Sequence, residues 1–134
     1  SSGTNGSSTY YYSSRSHALA QHIQNSLVAC NGRRNIGVRQ RGFFVIRHTK
    51  MPAVLVECCF ISNPSEAALL TNPKFRQKCA EGIFKGLMSY ASNRKMLKPS
   101  GNSAAMEYID KKKTDIDARI EKSEAKGSSS YSER

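Results

Sequence analysis

The chain has 134 residues with a hydrophobic content of 38%, enough for one modest apolar core and no more. No apolar run reaches the length of a bilayer-spanning helix, which excludes a spanning helix within these residues. The net charge of +11 is divided unevenly, because residues 1–97 carry 13 of the 21 Lys and Arg against three acids, Glu57, Glu66 and Glu81, whereas residues 98–134 carry eight bases and seven acids.

A body this basic is drawn to polyanions, and a wall rich in carboxylates or phosphodiester polymers would serve as well as nucleic acid. Ser1 to Ser8 have loop composition, with no initiator methionine and no charged-then-apolar leader, so the chain reads as a piece of a longer one. Thr9 to Tyr12 is a short β-branched and aromatic run expected to form a strand, and Ser13, Ser14 and Ser16 offer an N-cap to the helix that follows. Leu19, Ile23, Leu27 and Cys30 recur at three and four residues, which predicts one buried helical face ending at Asn31-Gly32.

Arg33 to Gly42 reads as a basic loop hinged at Gly37 and Gly42. Phe43 to Arg47 and Ala53 to Val56 read as two strands, the second apolar enough to be covered on both faces. Thr49 to Pro52 is too short for a crossover helix, so these two strands are expected to be antiparallel neighbours or non-adjacent. Asn63 then caps a short helix with Pro64 at its first position and Glu66 three residues beyond the cap. Asn72-Pro73 repeats the device and opens a helix that presents Phe75, Cys79, Ile83, Leu87 and Tyr90 on one face.

After Lys98-Pro99-Ser100-Gly101 the composition changes. Met106, Ile109, Ile116 and Ile120 suggest a helical stripe interrupted by Lys113, which predicts a solvated or marginal helix or a partner-binding stub, and Gly127 to Arg134 reads as a flexible end. The chain thus divides into a body, residues 1–97, and a charged tail, residues 98–134. There is no internal repeat and no phosphate-binding glycine loop.

The segment Met51 to Pro64 carries the chemistry, because an apolar strand runs directly into the carboxylate of Glu57 and then into a helix cap. In open α/β sheets ligands bind beyond the carboxyl ends of the strands, which would put Glu57 at such an edge. The plainer alternative is a surface ion pair, with Arg47 for example.

Tyr10-Tyr11-Tyr12-Ser13-Ser14-Arg15-Ser16, Gly37-Val38-Arg39-Gln40, the run Phe44 to Cys58 and the cap Phe60-Ile61-Ser62-Asn63-Pro64 together resemble the C-terminal half of the zinc-dependent N-acetylmuramoyl-L-alanine amidases of type 3. The resemblance covers residues 1 to about 92. It implies an α/β fold, the C-terminal part of a mainly parallel twisted sheet flanked by helices, and peptidoglycan as substrate, cut between N-acetylmuramic acid and L-alanine. It also implies Glu57 as the catalytic acid/base beside a zinc-bound water, and an extracellular, cell-wall or periplasmic location. Cys59 departs from the family, which has glycine there, so a side chain would narrow the loop beside Glu57.

The family's zinc ligands, two histidines and a glutamate in contexts that precede Gly3-Thr4, are not in this sequence. Zinc is therefore expected for the intact domain with its ligands upstream of residue 1, and residues 1–134 alone are expected not to hydrolyse peptidoglycan. His17 and His22 are five apart rather than the three or four that share a helix face, and His48 lies between a strand and a turn, so no metal site is assigned. His17 and His22 read as helix-surface residues, and His48 as a loop residue near the cleft. Cys30 and Cys79 read as small core residues, and Cys58 or Cys59 as a nucleophile only if a base is near. The alternatives are a non-catalytic basic remnant that adheres to the wall and a nucleic-acid module in which Tyr10, Tyr11 and Tyr12 stack on bases.

Overall fold

A computed structural model describes residues 3–94 together with Glu107, Asp110, Lys111, Thr114, Asp115, residues 117–119, Glu121 and Lys122. The chain forms two units, Ser1–Met96 and Leu97–Arg134. In the second, the described residues are helical, and the Thr114 hydroxyl donates back to the Asp110 carbonyl at 3.0 Å. The stripe Met106, Ile109, Ile116 and Ile120, its interruption at Lys113 and the end Gly127 to Arg134 lie outside the described residues.

The first unit runs β1 (Ser7–Tyr11), a 3₁₀ turn (Ser14–Ser16), α1 (His17–Asn31), β2 (Asn35–Gln40), α2 (Phe44–Arg47), β3 (Val54–Glu57), α3 (Pro64–Thr71) and α4 (Pro73–Asn93). The three strands make one sheet in the order β2-β1-β3, with β1 parallel to β2 and antiparallel to β3. The described sheet is therefore mixed, one pair of each kind, where a mainly parallel one was expected.

Two segments differ from expectation. Arg33 to Gly42 is largely strand, because β2 satisfies its backbone along the parallel edge of β1. Its polar sequence hides this, since it lies at the end of the sheet order with no residue fully buried. Phe43 to Arg47 is a single helical turn, closed by the amides of Ile46 and Arg47 on the Phe43 carbonyl. Only Ile46 is buried there, while Phe44 and Val45 stay 74% and 65% exposed, so the apolar run is not a sheet strand. β3 forms as expected, but its residues are half-buried rather than covered on both faces.

β1 also begins earlier than its aromatic run suggests. Ser7, Ser8 and Thr9, its first three residues, are fully buried, and their hydroxyls are satisfied by Cys58, Glu57 and Gln24. Ser16 does not cap α1 with its side chain; its hydroxyl accepts the Ala53 amide at 3.1 Å and fixes the approach to β3.

α1 ends as its sequence requires, with Gly32 in the left-handed region (φ 67°) and its amide on the Val28 carbonyl. Leu19, Ile23 and Leu27 are buried on one face, whereas Cys30 is half-buried and lies outside the core. α4 meets α1 through Gly82 and Gly86. A Cβ on Gly82 would stand 2.6 Å from the Leu27 Cα, and one on Gly86 would collide with the Ile23 Cα. This glycine line replaces Leu87 in the contact face; Leu87 itself is 47% exposed. Leu19, Ile23 and Tyr90 form one cluster against Val54 and Val56, and Leu27, Phe75 and Cys79 a second against Val56, Cys58 and Cys59.

Candidate active site

Val54 and Val56 pack against the α1–α4 core, so by strand alternation Leu55 and Glu57 occupy the opposite face of the sheet. Glu57 pairs with Ser8 in the antiparallel register, and the Ser8 hydroxyl donates to Glu57 Oε2 at 3.2 Å. The antiparallel direction corrects the expected placement. Glu57 ends β3, but it lies beside the start of β1, at the edge opposite the carboxyl ends of the parallel pair. Arg47 does not claim it: the Arg47 Nε donates to His48 Nε2 at 3.0 Å, and its guanidinium sits 5.9 Å from the Phe44 ring centre.

The loop after Glu57 is bound to the start of β1 by polar contacts. Ser7 Oγ donates to the Cys58 carbonyl at 2.8 Å, and Asn63 Nδ2 donates to the Thr4 carbonyl at 3.2 Å. Asn63 caps α3 as its sequence predicts, accepting from the Ser65 and Glu66 amides. Glu66 does something the sequence did not disclose. Its buried carboxylate accepts the Gly6 amide on Oε1 at 2.7 Å and the Phe60 amide on Oε2 at 2.8 Å, with an Arg33 guanidinium nitrogen 3.6 Å from Oε1. The capping-box spacing predicts that Glu66 reaches back to the Asn63 amide, but that amide goes to the Phe60 carbonyl, and the carboxylate reaches instead to Phe60 and across to Gly6.

The thiols do not supply a nucleophile beside Glu57. Cys58 is pushed far above the ordinary thiol range, first by its hydrogen bond with Cys79 and then by burial. Burial, followed by the nearby Glu66 charge, raises Cys59 to about 11. Both therefore stay protonated at neutral pH. Cys79 is lowered to about 7 by the same bond with Cys58, aided by Asn31, but it is buried in the second cluster. Cys59 packs into that cluster as well, so its side chain turns to the core rather than narrowing the loop.

Among the described residues no three His, Cys, Asp or Glu side chains converge to hold a metal ion. His17 stacks edge-on against Tyr11 at 4.9 Å. His22 joins α1 to α4 through Ser89 at 2.9 Å and Asn93 at 3.3 Å, a structural bridge rather than a free surface group. His48 is exposed and lies against Phe44. The described residues thus offer no ligand set for the zinc that the family resemblance implies.

The three tyrosines do not make a stacking platform. Tyr10 is engaged by Phe43 at 5.1 Å and Tyr11 by His17, on alternate faces of β1, and Tyr12 is 44% exposed. Two concavities of about 540 and 400 Å³ lie elsewhere, the first around Arg33, Lys74 and Lys78 and the second beyond the far end of β1 around Tyr12, Arg15 and Arg47. Neither is lined by Glu57. No helix among the described residues is long and apolar enough to cross a membrane.

The N-acetylmuramoyl-L-alanine amidase family matches residues 1–89. N-acetylmuramoyl-L-alanine amidase LytC of Bacillus subtilis is 44% identical over 94 residues, which are 67% of this chain and 19% of LytC. The probable cell wall amidase LytH of Staphylococcus saprophyticus is 38% identical over 92 residues, 69% of this chain and 32% of LytH. Among solved structures, the catalytic domain of CwlV, an N-acetylmuramoyl-L-alanine amidase from Bacillus (Paenibacillus) polymyxa var. colistinus, superposes with a TM-score of 0.66 at 39% identity, covering 69% of this chain and 51% of that one. The N-acetylmuramoyl-L-alanine amidase of Clostridium difficile 630 gives 0.64 at 35% identity, covering 66% and 50%. The chain spans about half the length of these two structures and a smaller share of LytC and LytH. By the extent of the family match, the chain belongs to the N-acetylmuramoyl-L-alanine amidases.

Proposed function

We propose that this chain supplies the acid/base carboxylate of a peptidoglycan amidase that cuts the amide between N-acetylmuramic acid and the first L-alanine of the stem peptide. The observation that carries the reading is the Glu57 carboxylate at the end of β3, on the sheet face turned away from the core, held among the described residues by the hydroxyl of Ser8. A carboxylate so held keeps lone pairs for a water. It takes the proton of the water that attacks the amide carbonyl and passes it to the departing alanine nitrogen, so that a C–O bond forms as the C–N bond breaks.

Zinc belongs to this reading as a cofactor of the intact domain, with ligands that the described residues do not supply. The surplus of basic residues supports attraction to the carboxylates and phosphodiesters of a cell wall, in keeping with an extracellular, cell-wall or periplasmic place of action. The test is Glu57→Gln in the native polypeptide that carries these residues. Turnover of purified peptidoglycan is expected to fall below detection while the zinc content stays at the wild-type level. Retained turnover, or loss of zinc in its place, would show that Glu57 has another role.

A further inference from the structure

Glu66 is the most deeply engaged acid among the described residues, at 1% exposure, and its two oxygens grip different parts of the chain. Oε1 holds Gly6, two residues before Ser8, the partner of Glu57. Oε2 holds Phe60, three residues after Glu57. Between these two anchors lie the Ser7 bond to the Cys58 carbonyl and the Ser8 bond to the Glu57 carboxylate. The four bonds close a ring that contains Glu57.

We propose that Glu66 is a positioning residue, a buried carboxylate clip that fixes the Glu57 side chain by holding the start of β1 against the loop that leaves β3. The proposal rests on the reading of Glu57 as acid/base. The site is built for a carboxylate. Two N–H donors and a guanidinium converge on it, and only a group with two acceptor oxygens and no donor satisfies them together. Gly6 is shaped for the same purpose: its φ is 113°, and a Cβ there would stand 2.5 Å from the Arg34 carbonyl oxygen, so no other residue could bring its amide to the clip without displacing β1.

Glu66→Gln tests this, because it keeps the shape but turns an NH₂ toward one of the two amides and breaks one arm of the clip. In the native polypeptide, amide exchange at Gly6 and Phe60 is expected to quicken, and the Glu57 carboxyl ¹³C resonance to move. Peptidoglycan turnover is expected to lose about 10- to 100-fold in kcat with KM and zinc content unchanged, the range that a displacement near 1 Å of a reacting group produces. A purely structural role would lower the melting temperature and leave kcat per folded molecule at the wild-type value. Quickened exchange with an unmoved Glu57 resonance and full kcat would overturn the proposal. If Glu66→Gln does not fold, Glu66→Asp, which keeps the charge near Arg33 but is too short to hold both amides, is read in the same way. Glu57→Gln is measured in parallel: if it retains turnover, the assignment of Glu57 has failed, and the Glu57 resonance in the Glu66 variant still decides whether the clip exists.

Discussion

The α1–α4 crossing and the start of β1 are both buried, yet they are built from opposite materials. At the crossing, Leu19, Ile23, Leu27 and Tyr90 close around two glycines, and the helices approach until backbone meets backbone. At the start of β1 the buried residues are Ser7, Ser8 and Thr9, and what surrounds them is Gln24, Asn31, Glu57 and Glu66. Apolar packing is non-directional and supplies stability, whereas hydrogen bonds are directional and fix positions. The molecule has placed its candidate carboxylate at the directional end.

The largest effect should come from filling the crossing. Gly86→Ala puts a Cβ into the Ile23 backbone, which has no flexible end to swing aside. Alanine is the better helix former by about 1 kcal/mol, but overpacking costs about 1–3 kcal/mol, and here the obstacle is main chain, so the upper part of that range applies. Urea unfolding should show a net loss of about 2 kcal/mol. A variant as stable as the parent would mean that the helices slide apart freely and that the crossing is not the rigid member of the pair.

A smaller loss is expected from the polar end. The Gln24 amide, 1% exposed, accepts the Thr9 hydroxyl at 2.9 Å and donates to the Ser7 carbonyl at 2.8 Å and to Asn35 Oδ1 at 2.7 Å, joining α1 to β1 and to the first residue of β2. Gln24→Leu leaves the Thr9 hydroxyl and the Ser7 carbonyl buried without it, at about 1–3 kcal/mol before the gain from the added apolar surface. Adding Thr9→Val removes one orphaned hydroxyl and should recover part of the loss. If the double variant is as unstable as the sum of the two singles, Thr9 and Gln24 do not act as a pair.

The two regions also differ in how much of them the sequence discloses. α1, α3 and α4 follow from apolar residues at helical spacing and from the caps at Gly32, Asn63 and Asn72, because both signals are local. That Glu57 ends a strand follows from the apolar run before it, but the edge of the sheet at which it lies does not, because the antiparallel pairing with β1 decides that. The start of β1 does not, because Ser7 and Ser8 read as loop until Gln24, Asn31 and Glu57 arrive from elsewhere in the chain to satisfy them. β2 is hidden for the same reason, its strand character coming from the pairing with β1. Phe43 to Arg47 fails in the other direction, an apolar run that gains no sheet partner and closes as a helical turn. The capping-box spacing singles out Glu66, but its carboxylate leaves the Asn63 amide to the Phe60 carbonyl, and its grip on Gly6, 60 residues away, has no local trace.

Cys59 lies where the two regions meet, against the Leu27, Phe75 and Cys79 cluster on one side and near the Glu66 carboxylate on the other. Burial and then that charge raise its thiol from 9.0 to about 11. The sign follows from proton counting. The folded state holds the Cys59 proton to higher pH than the unfolded chain does, so the contribution of this thiol to stability is present below pH 9 and is lost as pH rises toward about 11. Cys59→Ala removes this loss and should leave a shallower alkaline decline in the urea midpoint, by a modest amount because the thiol is partly solvated. Parallel declines in parent and variant would show that neither the apolar cluster nor the Glu66 charge presses on Cys59. The clip and the core would then communicate through Cys58 and Asn31, which touch both, rather than through Cys59.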